Sequence, residues 1–201
     1  MRRILIDRKF TTAALLASAL LVAGCEAMDK TVETVTLLWK NPIVLPCPDY
    51  RILADPARVA QFRAGSGRDL VDIDAEGAVG DIRMACVTDI DKKTGVGSME
   101  IEVAVAFGAK RGPANKSKRA LLPYFISVTD KKRNVLYREE FKVAVRFPGN
   151  QTSIQFLGES VKLEVPLTAK ITSTDYLIYT GFILTRDQLE HNRRLKGRKQ
   201  L

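Results

Sequence analysis

The chain holds one histidine, His191, and three cysteines, Cys25, Cys47 and Cys86, in 201 residues. A single imidazole leaves few constellations that pair a base with a nucleophile. His191 sits beside Glu190 and Arg193 on a polar segment, which reads as plain solvent exposure. No Cys-x-x-Cys occurs, and no Cys/His spacing suits tetrahedral zinc. A G-x-S-x-G elbow is missing, and the look-alike Gly65-Ser66-Gly67 reads as a turn. The stretch GSGRDL lacks the third glycine of a dinucleotide fingerprint. Asp89-Ile90-Asp91 opens like a calcium loop, yet Lys93 and Thr94 stand where an EF-hand needs an oxygen ligand and a glycine. Asp69, Asp72, Asp74 and Glu76 fall on or beside an alternating stretch and read as a solvated strand face. The sequence therefore assigns no catalytic residue, no metal and no cofactor, and the chain is read as non-enzymatic. After residue 24 no uncharged run is long enough to cross a hydrocarbon core of ~30 Å.

What is there begins at the N-terminus. Arg2, Arg3, Arg8 and Lys9 face one acid, Asp7, and residues 10–24 carry no charge. That is a basic region followed by an apolar region of secretory-signal length. Leu21-Val22-Ala23-Gly24-Cys25 then resembles the bacterial lipobox. The resemblance implies that Cys25 receives a diacylglycerol and becomes the first residue of the mature chain. Each acyl chain contributes about 0.8 kcal/mol per buried CH₂, and several chains make a stable anchor. Glu26, being other than Asp after the cysteine, implies the outer membrane. Residues 1–24 are read as a lipoprotein signal peptide and 25–46 as a lipidated tether with a possible short helix.

The first 24 residues hold four of the 32 basic and one of the 23 acidic residues, so 28 and 22 remain, a net charge of +6. A chain of this length suits one domain plus a tether. In an exported protein the even pair Cys47 and Cys86 reads as one disulfide, stapling the segment LPCPDY to the body.

Asp55 and Pro56 look like the N-cap and first residue of a helical turn through ARVAQFR. Beyond GSG the period becomes two. Val71, Ile73 and Ala75 alternate with acids, and Met99, Ile101, Val103, Val105 and Phe107 share one face. Tyr176, Ile178, Thr180 and Phe182 share another. DKKTGVG, DKKRN and FPGNQT punctuate the strands. About seven strands between 71 and 185 predict an all-β fold, an antiparallel immunoglobulin/fibronectin-like β-sandwich over 47–191. Tyr124, Phe125, Phe141, Phe147, Phe156 and Phe182 are spaced as its core requires. A short C-terminal helix follows, with Thr185 as cap and Gln188 at the capping-box position. Residues 192–201 form a basic tail.

Two basic clusters stand out: Lys110, Arg111, Lys116, Lys118 and Arg119, then Arg193, Arg194, Lys196, Arg198 and Lys199. Nucleic acid is a poor partner for an exported, tethered chain. Anionic lipid, lipopolysaccharide phosphate or an acidic protein face fits better, against the plain alternative of a solvated loop and tail.

Together the lipobox, the early Cys-Pro and the stretches GRDLVDIDAE, PYFISVTD, FPGNQT and GFILTRDQLEHNRR resemble a family of small proteobacterial lipoproteins. The resemblance spans most of the mature chain and implies anchoring and a shared domain plan. It carries no catalytic residues. The expected role is a lipid-anchored envelope scaffold with a protein partner, or else a module for anionic lipid or another polyanion.

Overall fold

The computed structural model describes residues 43–65 and 67–198, the last three by backbone alone. The predicted signal peptide, Cys25 and most of the tether lie outside the described residues, as do Lys199 and the side chains of Lys196 and Arg198.

Nine strands and one helix follow in order: β1 (Asp49–Ile52), β2 (Arg58–Phe62), β3 (Ile73–Ile90), β4 (Gly97–Arg111), β5 (Arg119–Asp130), β6 (Val135–Arg146), β7 (Ser153–Leu157), β8 (Val161–Leu167), β9 (Tyr176–Phe182) and α1 (Arg186–Arg198). They form an all-β sandwich. One sheet runs β1-β9-β5-β6, the other β2-β3-β4-β7, with β8 also on β4. β7 and β8 lie end to end along one edge of β4, the first against Ala106–Lys110 and the second against Gly97–Val103. Seven strands fall within 71–185, as the alternation predicts.

The inner faces are those read from the sequence. Met99, Ile101, Val103, Val105 and Phe107 of β4 are all buried, as are Tyr176, Ile178, Thr180 and Phe182 of β9. Fully burying one such side chain is worth about 1.5–3 kcal/mol. Phe107 joins the layers. Its ring lies 5.0 Å from Tyr124 and 5.8 Å from Phe182 on the facing sheet, and 5.8 Å from Phe156 beside it. Gly77 sits in the middle of β3 because nothing larger fits: a Cβ there would stand 2.7 Å from Leu122 and 2.9 Å from both Phe182 and Val59.

Several expectations are corrected. ARVAQFR is not helical; Arg58–Phe62 is a strand paired with β3. Val59 and Ala60 are buried there, and that burial outweighs the local Asp-Pro helix signal. One pair departs from the antiparallel plan, since β1 runs parallel to β9. The acids at 69–76 are not one solvated face. Asp72 is 4% exposed, with Arg63 at 2.5 Å. Phe125 faces away from the core, beneath Arg138.

The C-terminal helix has the expected reciprocal cap: Gln188 N–H donates to Thr185 Oγ1, and Thr185 N–H to Gln188 Oε1. It docks on β2 through Asn192, whose Nδ2 donates to the carbonyls of Asp55 and Arg58 at 3.0 and 2.7 Å. Asn192 and Arg193, read as the start of the tail, thus belong to a packed helix.

Cys47 and Cys86 form a disulfide 39 residues apart in sequence, with Cα atoms at 5.6 Å. Closing such a loop stabilises the fold by about 3–4 kcal/mol. Cys47→Ala is expected to cost that amount in a denaturant melt, and reduction of the wild type should cost the same. Gly77→Ala should cost about 1–3 kcal/mol through overpacking alone; an unchanged melt would show that the core yields freely at β3.

Candidate functional site

The first basic cluster does not stay together. Lys110 and Arg111 are successive on β4 and so point to opposite faces. Lys110 lies opposite Glu76 and Ser153 and lines a cleft of about 280 Å³ beneath α1, with Arg58 and His191. Lys116 is exposed in the β4–β5 loop. Lys118 and Arg119 reach the other sheet.

Asn115 builds that loop. It is buried, donates to Asp74 Oδ2 at 3.2 Å and to Arg119 O at 2.9 Å, and accepts from Lys118 N–H at 2.8 Å. Lys118 takes a left-handed backbone (φ 57°) and its Nζ donates to Gly149 O at 2.8 Å. Arg119 then sits directly opposite Arg146 on the outer face of the four-stranded sheet. Neither forms an ion pair with a described residue. Both line a shallow concavity of about 650 Å³ with Gln61, Asp74, Leu121 and Ala144. Like charges directly opposite on a sheet repel. Their juxtaposition makes a fork of guanidinium donors suited to an oxyanion.

Of the second cluster, Arg193 pairs with Asp55 at 3.2 Å and Arg194 is exposed. The remaining members fall outside the side chains described. His191 is half-buried rather than free in solvent, its ring edge-on to Phe62 at 5.4 Å.

The register adds residues that the linear reading passed over. Arg138, Lys142 and Arg146 alternate on the outer face of β6 with Glu140, and Arg51 joins them from β1. The signal was present as even spacing within VLYREEFKVAVR. It was obscured because Arg51 and Arg119 reach the same face from distant parts of the chain.

Among the described residues no group of three or more His, Cys, Asp or Glu is placed to hold a metal. Among the same residues no helix is long and apolar enough to cross a membrane. Compared with known proteins, the chain matches no family model, no curated protein and no solved structure.

Arg146→Glu converts the repelling pair into an attracting one. The melting temperature should rise by roughly 1–3 °C at low salt. The gain should vanish at about 1 M salt, where charges more than ~3 Å apart are screened. A gain that persists in high salt would mean that Arg119 and Arg146 do not repel.

Proposed function

We propose that this is a bacterial envelope lipoprotein, held by acylated Cys25 at the outer membrane and facing the periplasm, whose sandwich binds an envelope protein partner without catalysing a reaction. The lipobox and the resemblance to small proteobacterial lipoproteins support the anchor. The Cys47–Cys86 disulfide supports an oxidising compartment.

The observation that carries the interaction role is the edge of the four-stranded sheet. Among the described residues β6 ends that sheet, so one side of a twelve-residue strand has no described strand beside it. Val135 and Leu136 at its start are 62% and 56% exposed. Such an edge accepts an added strand, with backbone hydrogen bonds giving affinity and alternate side chains giving specificity. A second reading, a polyanion module, is favoured by the Arg119–Arg146 pair, which outnumbers the one acid, Asp74, lining its concavity. Lys118 belongs with it; Lys110 and Arg111 do not.

Two tests separate these readings. Cys25→Ser should release the protein from the membrane fraction or leave an uncleaved precursor, and unchanged fractionation would sink the anchor. A photo-crosslinker at Leu136 should capture one defined envelope protein in intact cells, resistant to moderate salt, whereas one at Glu164 on the opposite sheet should not. Crosslinks that form equally from both positions, or that vanish with salt, would favour the polyanion reading.

A further inference from the structure

The outer face of the four-stranded sheet has a second concavity, at the opposite end of β5 from Arg119. Its volume is about 420 Å³. Three arginines line it, Arg51, Arg133 and Arg138, and no carboxylate of the described residues does. The register sets Arg51, Tyr179, Ser127 and Arg138 in one row across all four strands. Three steps of about 4.8 Å separate the ends of that row, a span that two inward-reaching arginines can close over. Leu53, Phe125 and Val135 supply an apolar wall.

The arginines are held in place rather than scattered. The Arg138 guanidinium lies 4.0 Å over the Phe125 ring centroid, with Glu140 Oε1 at 3.4 Å. Stacking fixes the plane of the fork; Nη2 donates to Glu140, and the remaining edge donors face outward for a ligand. Arg133 adopts a left-handed backbone (φ 68°) in the β5–β6 turn, where glycine or asparagine would be relaxed. Among the described residues the two non-glycine positions of this kind are Lys118 and Arg133, one beyond each end of β5. Such backbones are uncommon outside glycine and are enriched at ligand sites.

Of the nearby acids Glu140 takes one donor of Arg138, and the others are committed elsewhere or lie off the pocket. The Asp130 carboxylate accepts from the Asn134 amide and backbone N–H at 2.7 and 2.9 Å, which holds it below the usual carboxylate range. Asp175 is taken by Lys131 at 2.6 Å. Asp49 lies one row away, opposite Leu177, and does not line the pocket. Arg51 and Arg133 form no ion pair with a described residue. The lining residue Thr129 is 4% exposed, and its hydroxyl has no hydrogen-bond partner among the described residues. A buried polar atom left unmatched asks for a partner.

We propose that this pocket binds a phosphate group carried on a small apolar body, with Arg51, Arg133 and Arg138 gripping the oxygens. The apolar wall takes the body, and the phenol of Tyr179 lies between the arginines in the row. A lipid headgroup and a soluble phosphate ester share this chemistry. The site is separate from the Arg119–Arg146 pair and does not rest on the anchoring or scaffold readings.

The test is calorimetry on the full chain in a neutral detergent. One titrant is sn-glycerol 3-phosphate; the other is micelles of the same detergent carrying phosphatidylglycerol. Saturable binding of both assigns the site to the phosphate itself, and binding of the micelles alone assigns it to a lipid. Arg51→Ala and Arg138→Ala should each weaken binding about tenfold or more. Arg119→Ala, at the far end of the face, should not change it. Arg133→Gly should weaken binding while the melting temperature holds or rises, because glycine relieves the left-handed backbone. Absence of saturable binding with both titrants overturns the proposal. So does an equal loss from Arg119→Ala, which would mean diffuse charge attraction, or full affinity in Arg133→Gly.

Discussion

The architecture hangs on one contact between layers. Phe107 of β4 meets Tyr124 and Phe182 of the facing sheet at 5.0 and 5.8 Å. Tyr124 and Phe182 are themselves register partners on β5 and β9. One ring from the five-stranded sheet therefore seats against an adjacent pair from the other. Gly77 gives way beneath it so that Leu122, Phe182 and Val59 can close. β3 and β4, 18 and 15 residues long, carry this contact and the buried rows on either side of it. Close packing of this kind is intolerant of added or missing volume.

Because the core is satisfied by inner faces, the outer face of the four-stranded sheet is free to hold groups that serve no packing need. Arginine is frequent there, and its counter-charges are few. Arg119 and Arg146 face each other, Arg138 covers Phe125, and Arg51 closes the row from a parallel edge strand. Such a face costs electrostatic free energy at rest. Along β6 Glu140 alternates with Arg138, Lys142 and Arg146, whereas a surface evolved for solubility alone would balance the two signs more evenly. The concentration of arginine over lysine on it fits recognition of planar or tetrahedral oxyanions more than simple solvation.

Much of this fold is legible in the sequence where one strand face is wholly apolar. The β4 and β9 faces, the turns at DKKTGVG and DKKRN, the Thr185–Gln188 cap and the Cys47–Cys86 pair all follow from local chemistry. Legibility fails where a partner strand decides. β2 carries a helix-start signal at Asp55 and Pro56, and only pairing with β3 makes it extended. Phe125 looks like a core aromatic until the register sends it outward. The Lys110–Arg119 cluster is compact in sequence yet divides between two sheets, because the loop after β4 crosses from one sheet to the other, and Lys110 and Arg111 on β4 point apart. The arginine face has the reverse problem: its members come from β1, β5 and β6, and no linear window contains them.

The disulfide has a mechanical side. β1 is four residues long and pairs with β9 at a sheet edge, so by itself it would peel away one hydrogen bond at a time under load. Cys47 stands just ahead of it and is bonded to Cys86, well inside the C-terminal half of the longest described strand. Any pull arriving through the chain before Cys47 therefore passes into β3. That strand is paired with β4 from Ala75 to Ile90, so a pull at Cys86 meets a ladder far longer than that of β1. The domain is clamped at its point of entry, and β1 can stay short because it bears none of the tension.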